Sequence, residues 1–248
     1  MIKVGIGQTI REKADIKRVI EYAKYGIGAQ ISFFQPDMWH KSFVQVVEAF
    51  IKEDLLHYLY AIHLPTRTPD LIEQDSQFKY VIAADLVNLP DDILLVVHPN
   101  YKIKDALVTM VYELGIRQTI CVENFQARKK KELQTALDIN EYCIELDNRV
   151  AMCLDTSHSE EYWFEYPVMN YLLRRTKIIH LSNRKGRAQH MPFNIDGGDL
   201  KLVAFVNDLI PRYNWNGVII LEYMFEYCDK LWKNAEYVMR LLKEKGNA

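Results

Sequence analysis

The stretch VAMCLDTSH (Val150–His158) begins as an unbroken apolar run and ends in an acid, Asp155, and an imidazole, His158. The apolar part is too short for an ordinary helix and has polar neighbours, which reads as a buried strand. Burying either polar group alone is costly, so a core strand that ends this way must deliver both to a place where they are paired. The same form recurs in IKVGIG (2–7), QISFFQ (30–35), YAIHL (60–64), ILLVVH (93–98), TICVEN (119–124), KIIHLS (177–182) and GVIILE (217–222). Continuous apolar character, rather than alternation, suits strands covered on both faces in a parallel sheet.

Between these runs lie segments with helical periodicity at 11–24, 43–56, 78–86, 106–114, 130–142, 200–209 and 233–245. Strand followed by helix, eight times, divides the 248 residues into units of about 31, the size of a βα repeat, and eight such units close a barrel. No Pro/Gly-rich linker or low-complexity tract interrupts the series. The expectation is an α/β chain folded as one (β/α)8 TIM-barrel domain over residues 1–248. An open doubly wound sheet has the same alternation but usually carries a glycine-rich first turn, and GIGQTI (5–10) lacks the third glycine of G-x-G-x-x-G.

Hydrophobic residues make up 49% of the chain and charged residues 26%, with a formal charge of -2, so no global field draws it to nucleic acid or an anionic membrane. Cys121, Cys143, Cys153 and Cys228 show no paired spacing and read as free thiols of a reducing compartment. No apolar run reaches the roughly 18 residues of a membrane span, and the N-terminal stretch lacks a signal-peptide core. A cytoplasmic protein with no membrane partner is expected.

In such barrels the chemistry sits at the C-terminal ends of the strands. Strand 3 ends there in His63, strand 4 in His98 and strand 5 in Glu123; strand 6 ends in Asp155 with His158 beyond it, strand 7 carries His180, and strand 8 ends in Glu222. The long segment after strand 7, SNRKGRAQHMPFNIDGGDL (182–200), adds His190. Eight ligand-type groups on one mouth would repel or desolvate one another without a cation, so a metal site is expected. Nitrogen-plus-carboxylate donors favour zinc, manganese, iron or cobalt over calcium. With no cysteine in the set, an open catalytic site is expected rather than a closed structural zinc.

In this order, IHLP (62–65), VVHPN (96–100), CVENF (121–125), CLDTSH (153–158), IIHLSN (178–183), RAQH (187–190) and IILEY (219–223) resemble the xylose isomerase-like TIM barrel superfamily over almost the full length. That superfamily includes sugar (phosphate) isomerases and epimerases and the endonuclease IV-like proteins. The resemblance implies a metal core of Glu123, Asp155, His180 and Glu222, and, in the endonuclease-like branch, further ligands at His63, His98, His158 and His190. That branch has an acid two residues before the last histidine, where this chain has Ala188. One or two ions, zinc or manganese, are therefore expected rather than three.

Two reactions follow from the resemblance. In an isomerase or epimerase of a small sugar or sugar phosphate, Glu123 and Glu222 move protons at carbon while His158 contacts a substrate oxygen. In an endonuclease IV-like phosphodiesterase acting on DNA, His63 and His98 serve a second ion bridged through Glu123. Short connections and the slightly negative charge favour the sugar over nucleic acid. The basic runs ARKKK (127–131) and NRKGR (183–187) are the exceptions, and Lys185 and Arg187 are candidate phosphate-binding residues. A barrel that only binds is the third reading. Trp39, Trp163 and Phe193 are expected as pocket walls or core, His40 at the rim and His57 at the opposite, stability end. The sequence leaves the oligomeric state open.

Overall fold

A computed structural model describes residues 1–33, 39–65, 68–99, 103–124, 136–146, 149–209 and 211–245. The run ARKKK and residues 34–38 of the β2 connection lie outside the described residues. Eight parallel strands close a barrel: β1 (Lys3–Ile10), β2 (Gly28–Phe33), β3 (Leu59–His63), β4 (Leu94–Val97), β5 (Ile120–Glu123), β6 (Val150–Asp155), β7 (Thr176–His180) and β10 (Val218–Leu221). Closure joins β1 to β2, with Gly5 opposite Gly28, and β1 to β10, with Gly5 opposite Ile220. All eight apolar runs of the sequence are barrel strands, with ends displaced by up to three residues.

The side-chain period of two sets what faces the axis. Ala61, Val96, Cys121, Ala151, Cys153, Ile178, Val218 and Ile220 pack together inside the barrel. Two residues further along their strands stand His63, His98, Glu123, Asp155, His180 and Glu222, so the same inward face turns from apolar to polar at the C-terminal end. Glycines make the space on β1 and β2. A Cβ on Gly28 would overlap the Tyr60 ring, and one on Gly5 would lie 2.7 Å from the Gly28 carbonyl oxygen.

Outside the barrel run α1 (Lys13–Lys24), α2 (Trp39–Lys52), α3 (Thr68–Gln74), α4 (Ser76–Val87), α5 (Ile103–Val108), α6 (Ala136–Leu146), α7 (Tyr166–Leu173), α8 (Leu202–Asp208) and α9 (Leu231–Glu244). α3 and α7 are not among the helical segments expected from periodicity. Both are short, and α7 carries Pro167 in its first turn, which suits a helix start but hides the periodic pattern. The segment expected as a helix at 106–114 leaves α5 as a π-helical turn at Thr109–Glu113. Among the described residues no helix is long and apolar enough to cross a membrane.

The long segment after β7 is not a simple loop. It folds as an antiparallel hairpin, β8 (Asn183–Lys185) and β9 (Ala188–Met191), turning at Gly186 with φ of 59°. Asn183 anchors it: its Nδ2 donates to the carbonyls of Phe193 and Leu200, while its Oδ1 accepts from the N–H groups of Arg184 and Leu200.

Candidate metal centre

The inward face brings the eight predicted donors into three overlapping groups, in each of which the donor atoms lie within 4.8 Å of one another. Glu123, Asp155, His180 and Glu222 form the central group. His63, His98 and Glu123 form a second, and Asp155, His158 and His190 a third. Glu123 belongs to the first two and Asp155 to the first and third, so the three groups are contiguous.

Main-chain and amide partners fix how each donor is presented. His63 Nδ1 donates to the Leu64 carbonyl at 3.0 Å, leaving Nε2 3.0 Å from Glu123 Oε2. His98 Nε2 lies 3.1 Å from both His63 Nε2 and Glu123 Oε2. His180 Nε2 donates to Gln30 Oε1 at 2.9 Å, so Nδ1 faces Glu222 Oε2 at 2.7 Å and Glu123 Oε1 at 3.6 Å. His158 Nδ1 donates to the Asn124 carbonyl at 3.0 Å. Asp155 Oδ1 accepts from the N–H and hydroxyl of Ser157 at 2.7 and 2.8 Å, which leaves Oδ2 for the site. Asn124 clamps the Asp155 peptide from both sides, its Oδ1 accepting from N–H and its Nδ2 donating to C=O. A ring nitrogen bound outside the site and its opposite nitrogen turned inward is the usual way proteins orient imidazole donors.

The residues present fit a divalent cation. His180 Nδ1, Glu222 Oε2, Asp155 Oδ2 and His190 Nδ1 are buried and have no hydrogen-bond partner, although each faces another donor of the cluster. Orphaned buried polar atoms are expensive, and a shared cation satisfies them together. His190 also adopts a left-handed backbone, with φ of 52°, a conformation uncommon outside glycine. Its carbonyl accepts from the Met224 N–H at 2.9 Å, which holds the hairpin to the segment after β10.

The electrostatics tell the same story. Burial disfavours a charge on Glu123, but His98, His180 and His63 outweigh it and hold the carboxyl well below its usual range. Burial likewise works against Glu222, and His180 brings it down to about 2. Burial lowers His63 and His158, yet Glu123 raises the first and Asp155 with Glu123 the second, so both end above the ordinary imidazole value. The imidazoles carry the compensating charge for both carboxylates.

Several expectations change. Cys153 joins the cluster, its thiol grouped with Glu123 and His180, where the sequence suggested that no cysteine would. It lies two residues before Asp155 on the same inward face, and burial pushes its thiol up to about 12. Trp39, Trp163 and Phe193 are each 1% exposed and serve the core rather than a pocket wall. His40 is exposed at the start of α2 with its Nδ1 2.8 Å from Asp85 Oδ1 of α4, and His57 packs on Tyr58 beside β3's N-terminal end. Lys185 and Arg187 are exposed on the β8–β9 hairpin, on either side of Gly186. Gln30, Asn124 and Ser157 were not singled out from sequence. The one signal for Gln30 was a polar residue inside an otherwise apolar strand.

No family profile matches the chain. Over 186 residues it is 31% identical to a probable endonuclease 4 of Metamycoplasma arthritidis (strain 158L3-1), an alignment that covers 63% of this chain and 66% of that protein's length. Among solved structures, the barrel superposes on an IolI protein with a bound zinc atom at a TM-score of 0.62, with 11% identity over 99% of this chain and 100% of the other. Protein SMc04130 from Sinorhizobium meliloti 1021 gives 0.54, with 14% identity over 97% and 96% of the two chains. A D-tagatose 3-epimerase-like protein gives 0.51, with 16% identity over 96% and 86%. At these identities the structural likeness is one of fold.

Proposed function

We propose that this chain, whose barrel is of the xylose isomerase-like type, is a metal-dependent phosphodiesterase acting on nucleic acid, with residues 1–248 working as one domain. The observation that carries the reading is the pair of additional donor groups, His63–His98–Glu123 and Asp155–His158–His190, flanking the central one. A Lewis acid for proton transfer at carbon needs a single ion and the central four residues, whereas clamping a phosphodiester uses neighbouring ions. The likeness to a probable endonuclease 4 supports the same direction. Zinc suits the imidazole-rich donors best.

When bound, the cations would lower the pKa of water and neutralise phosphate oxygens. The chain's own residues do the rest. Leu64 C=O and Gln30 Oε1 hold the outer N–H groups of His63 and His180, so that their opposite nitrogens point inward, and Asn124 C=O fixes the His158 ring through Nδ1. Glu222, ionised and 26% exposed at its side chain, turns Oε2 to the donor group, and its other carboxylate oxygen would accept the proton of the attacking water. Glu123, 4% exposed, stays ionised and joins two donor groups. Lys185 and Arg187 meet the phosphate charge from the hairpin.

A second reading, an isomerase or epimerase of a small sugar or sugar phosphate, has one observation in its favour. Glu123 and Glu222 both face His180 Nδ1, at 3.6 and 2.7 Å, which puts the two carboxylates a proton shuttle would use within one donor group. The two are separated by incubating zinc-loaded and manganese-loaded protein with duplex carrying an abasic site, and in parallel with candidate sugars in heavy water. Nicking that disappears in Glu222→Gln supports the phosphodiesterase. Solvent-deuterium incorporation into a sugar without nicking would replace it with the isomerase.

A further inference from the structure

The donor groups leave unexplained an exposed aromatic patch on the same mouth. Phe225 is 69% exposed and Met224 38% exposed, in the segment that follows β10 directly after Glu222 and Tyr223. The guanidinium of Arg11, at the end of β1, lies 4.9 Å from the centre of the Phe225 ring. Both sides of this pair are held in place. The Arg11 N–H donates to Asp15 Oδ2 at 2.9 Å, and buried Asp15 is itself bonded by Gln8 Nε2 at 3.3 Å. On the other side the Met224 N–H donates to the carbonyl of His190, one of the donor residues.

We propose that Phe225 and Arg11 form a stacking platform for an unpaired nucleobase of the strand whose phosphate is held at the metal centre, a deepening that rests on the phosphodiesterase reading. An aromatic ring with an arginine beside it binds any base, because every base offers a π face and the cation adds to the attraction. Charge around the mouth directs the strand to this side. Arg11 follows β1 and Lys185 and Arg187 stand on the hairpin, while the segment after β6 presents Glu160, Glu161 and Glu165, against a single lysine, Lys201, around a cleft of about 560 Å³. The acid next to the platform, Glu226, is engaged by the Tyr227 hydroxyl. A two-residue patch is far too small for a stable protein interface, which takes roughly 800 Å² per partner.

The test compares anisotropy binding of fluorescein-labelled dT8 and of an abasic octamer of equal charge, with Glu222→Gln protein as the uncleaving background. Adding Phe225→Ala should weaken dT8 binding by roughly tenfold, leave the abasic octamer within twofold, and be reversed by Phe225→Trp. Equal losses on both probes, or none on dT8, would overturn the platform. Phe225 is exposed, so an unchanged melting temperature checks that the fold survives. The two readings fail separately. Base-dependent loss of binding in a protein that cleaves no phosphodiester keeps the platform and sinks the hydrolase; nicking by a protein whose dT8 binding ignores Phe225→Ala does the reverse.

Discussion

Gln30→Leu tests whether the metal centre is built as the hydrogen bonds indicate. Gln30 is 1% exposed on β2 and His180 is fully buried on β7, so the 2.9 Å bond between them crosses the barrel interior out of water's reach. Leucine keeps most of the volume and removes the acceptor. A buried Nε2–H left without a partner costs about 1–3 kcal/mol, and the ring can escape that cost only by moving its proton to Nδ1, the nitrogen needed by the metal. Either outcome weakens the centre, and loss of a group that orients a ligand typically lowers metal affinity about 10- to 100-fold, or roughly 1.4–2.7 kcal/mol. Zinc affinity measured by competition with a chromogenic chelator should fall by that factor. Gln30→Glu, which keeps an acceptor in the same place, should bind at least as tightly as the parent. Long-range nitrogen-15 correlation spectra should report the His180 proton on Nε2 in the parent. Gln30→Leu protein that binds zinc within twofold of the parent, with that proton still on Nε2, would refute the reasoning.

Proton linkage gives a second expectation. In the metal-free chain His63 and His158 sit above 6.5, so their stabilising contribution is complete below that value and is lost as pH rises through their folded values. Glu123 and Glu222 sit below 4.5, so theirs is present above 4.5 and lost as pH falls, for Glu222 toward about 2. The metal-free melting temperature should therefore peak between these limits and decline on the alkaline side, while zinc binding at pH 7 should release protons, read by calorimetry in buffers of different ionisation enthalpy. Zero release would contradict the raised histidines. Gly28→Ala should lower stability by about 1–3 kcal/mol or more, since the new methyl meets the Tyr60 ring, and Tyr60→Ala in the same chain should recover part of it. Denaturation midpoints decide this, and a neutral Gly28→Ala would mean that the β1–β2 wall yields more easily than its packing implies.

The barrel was legible because a parallel strand covered on both faces must be continuously apolar, and eight such runs at regular intervals leave few alternatives. The donors were legible for a related reason. A histidine or acid at the end of a core strand, as in ILLVVH and VAMCLD, has no ordinary place in an apolar interior. Helix α7 was missed because it is short and carries a proline in its first turn, and the β8–β9 hairpin because its three- and four-residue strands are too brief for any period to appear. Gln30 could not be assigned, since a lone amide in a strand is as readily a core residue with a local partner.

The sequence by itself therefore determined the alternation, the barrel and which eight side chains collect at one mouth, because those depend on apolar burial and on a strand period of two. Only the tertiary structure decided how the eight divide into three groups sharing Glu123 and Asp155, which nitrogen of His63 and of His180 faces inward, and that Cys153 stands among them. Those facts depend on partners brought together from strands up to 150 positions apart, as Gln30 and His180 are, and chain spacing carries no record of such distances.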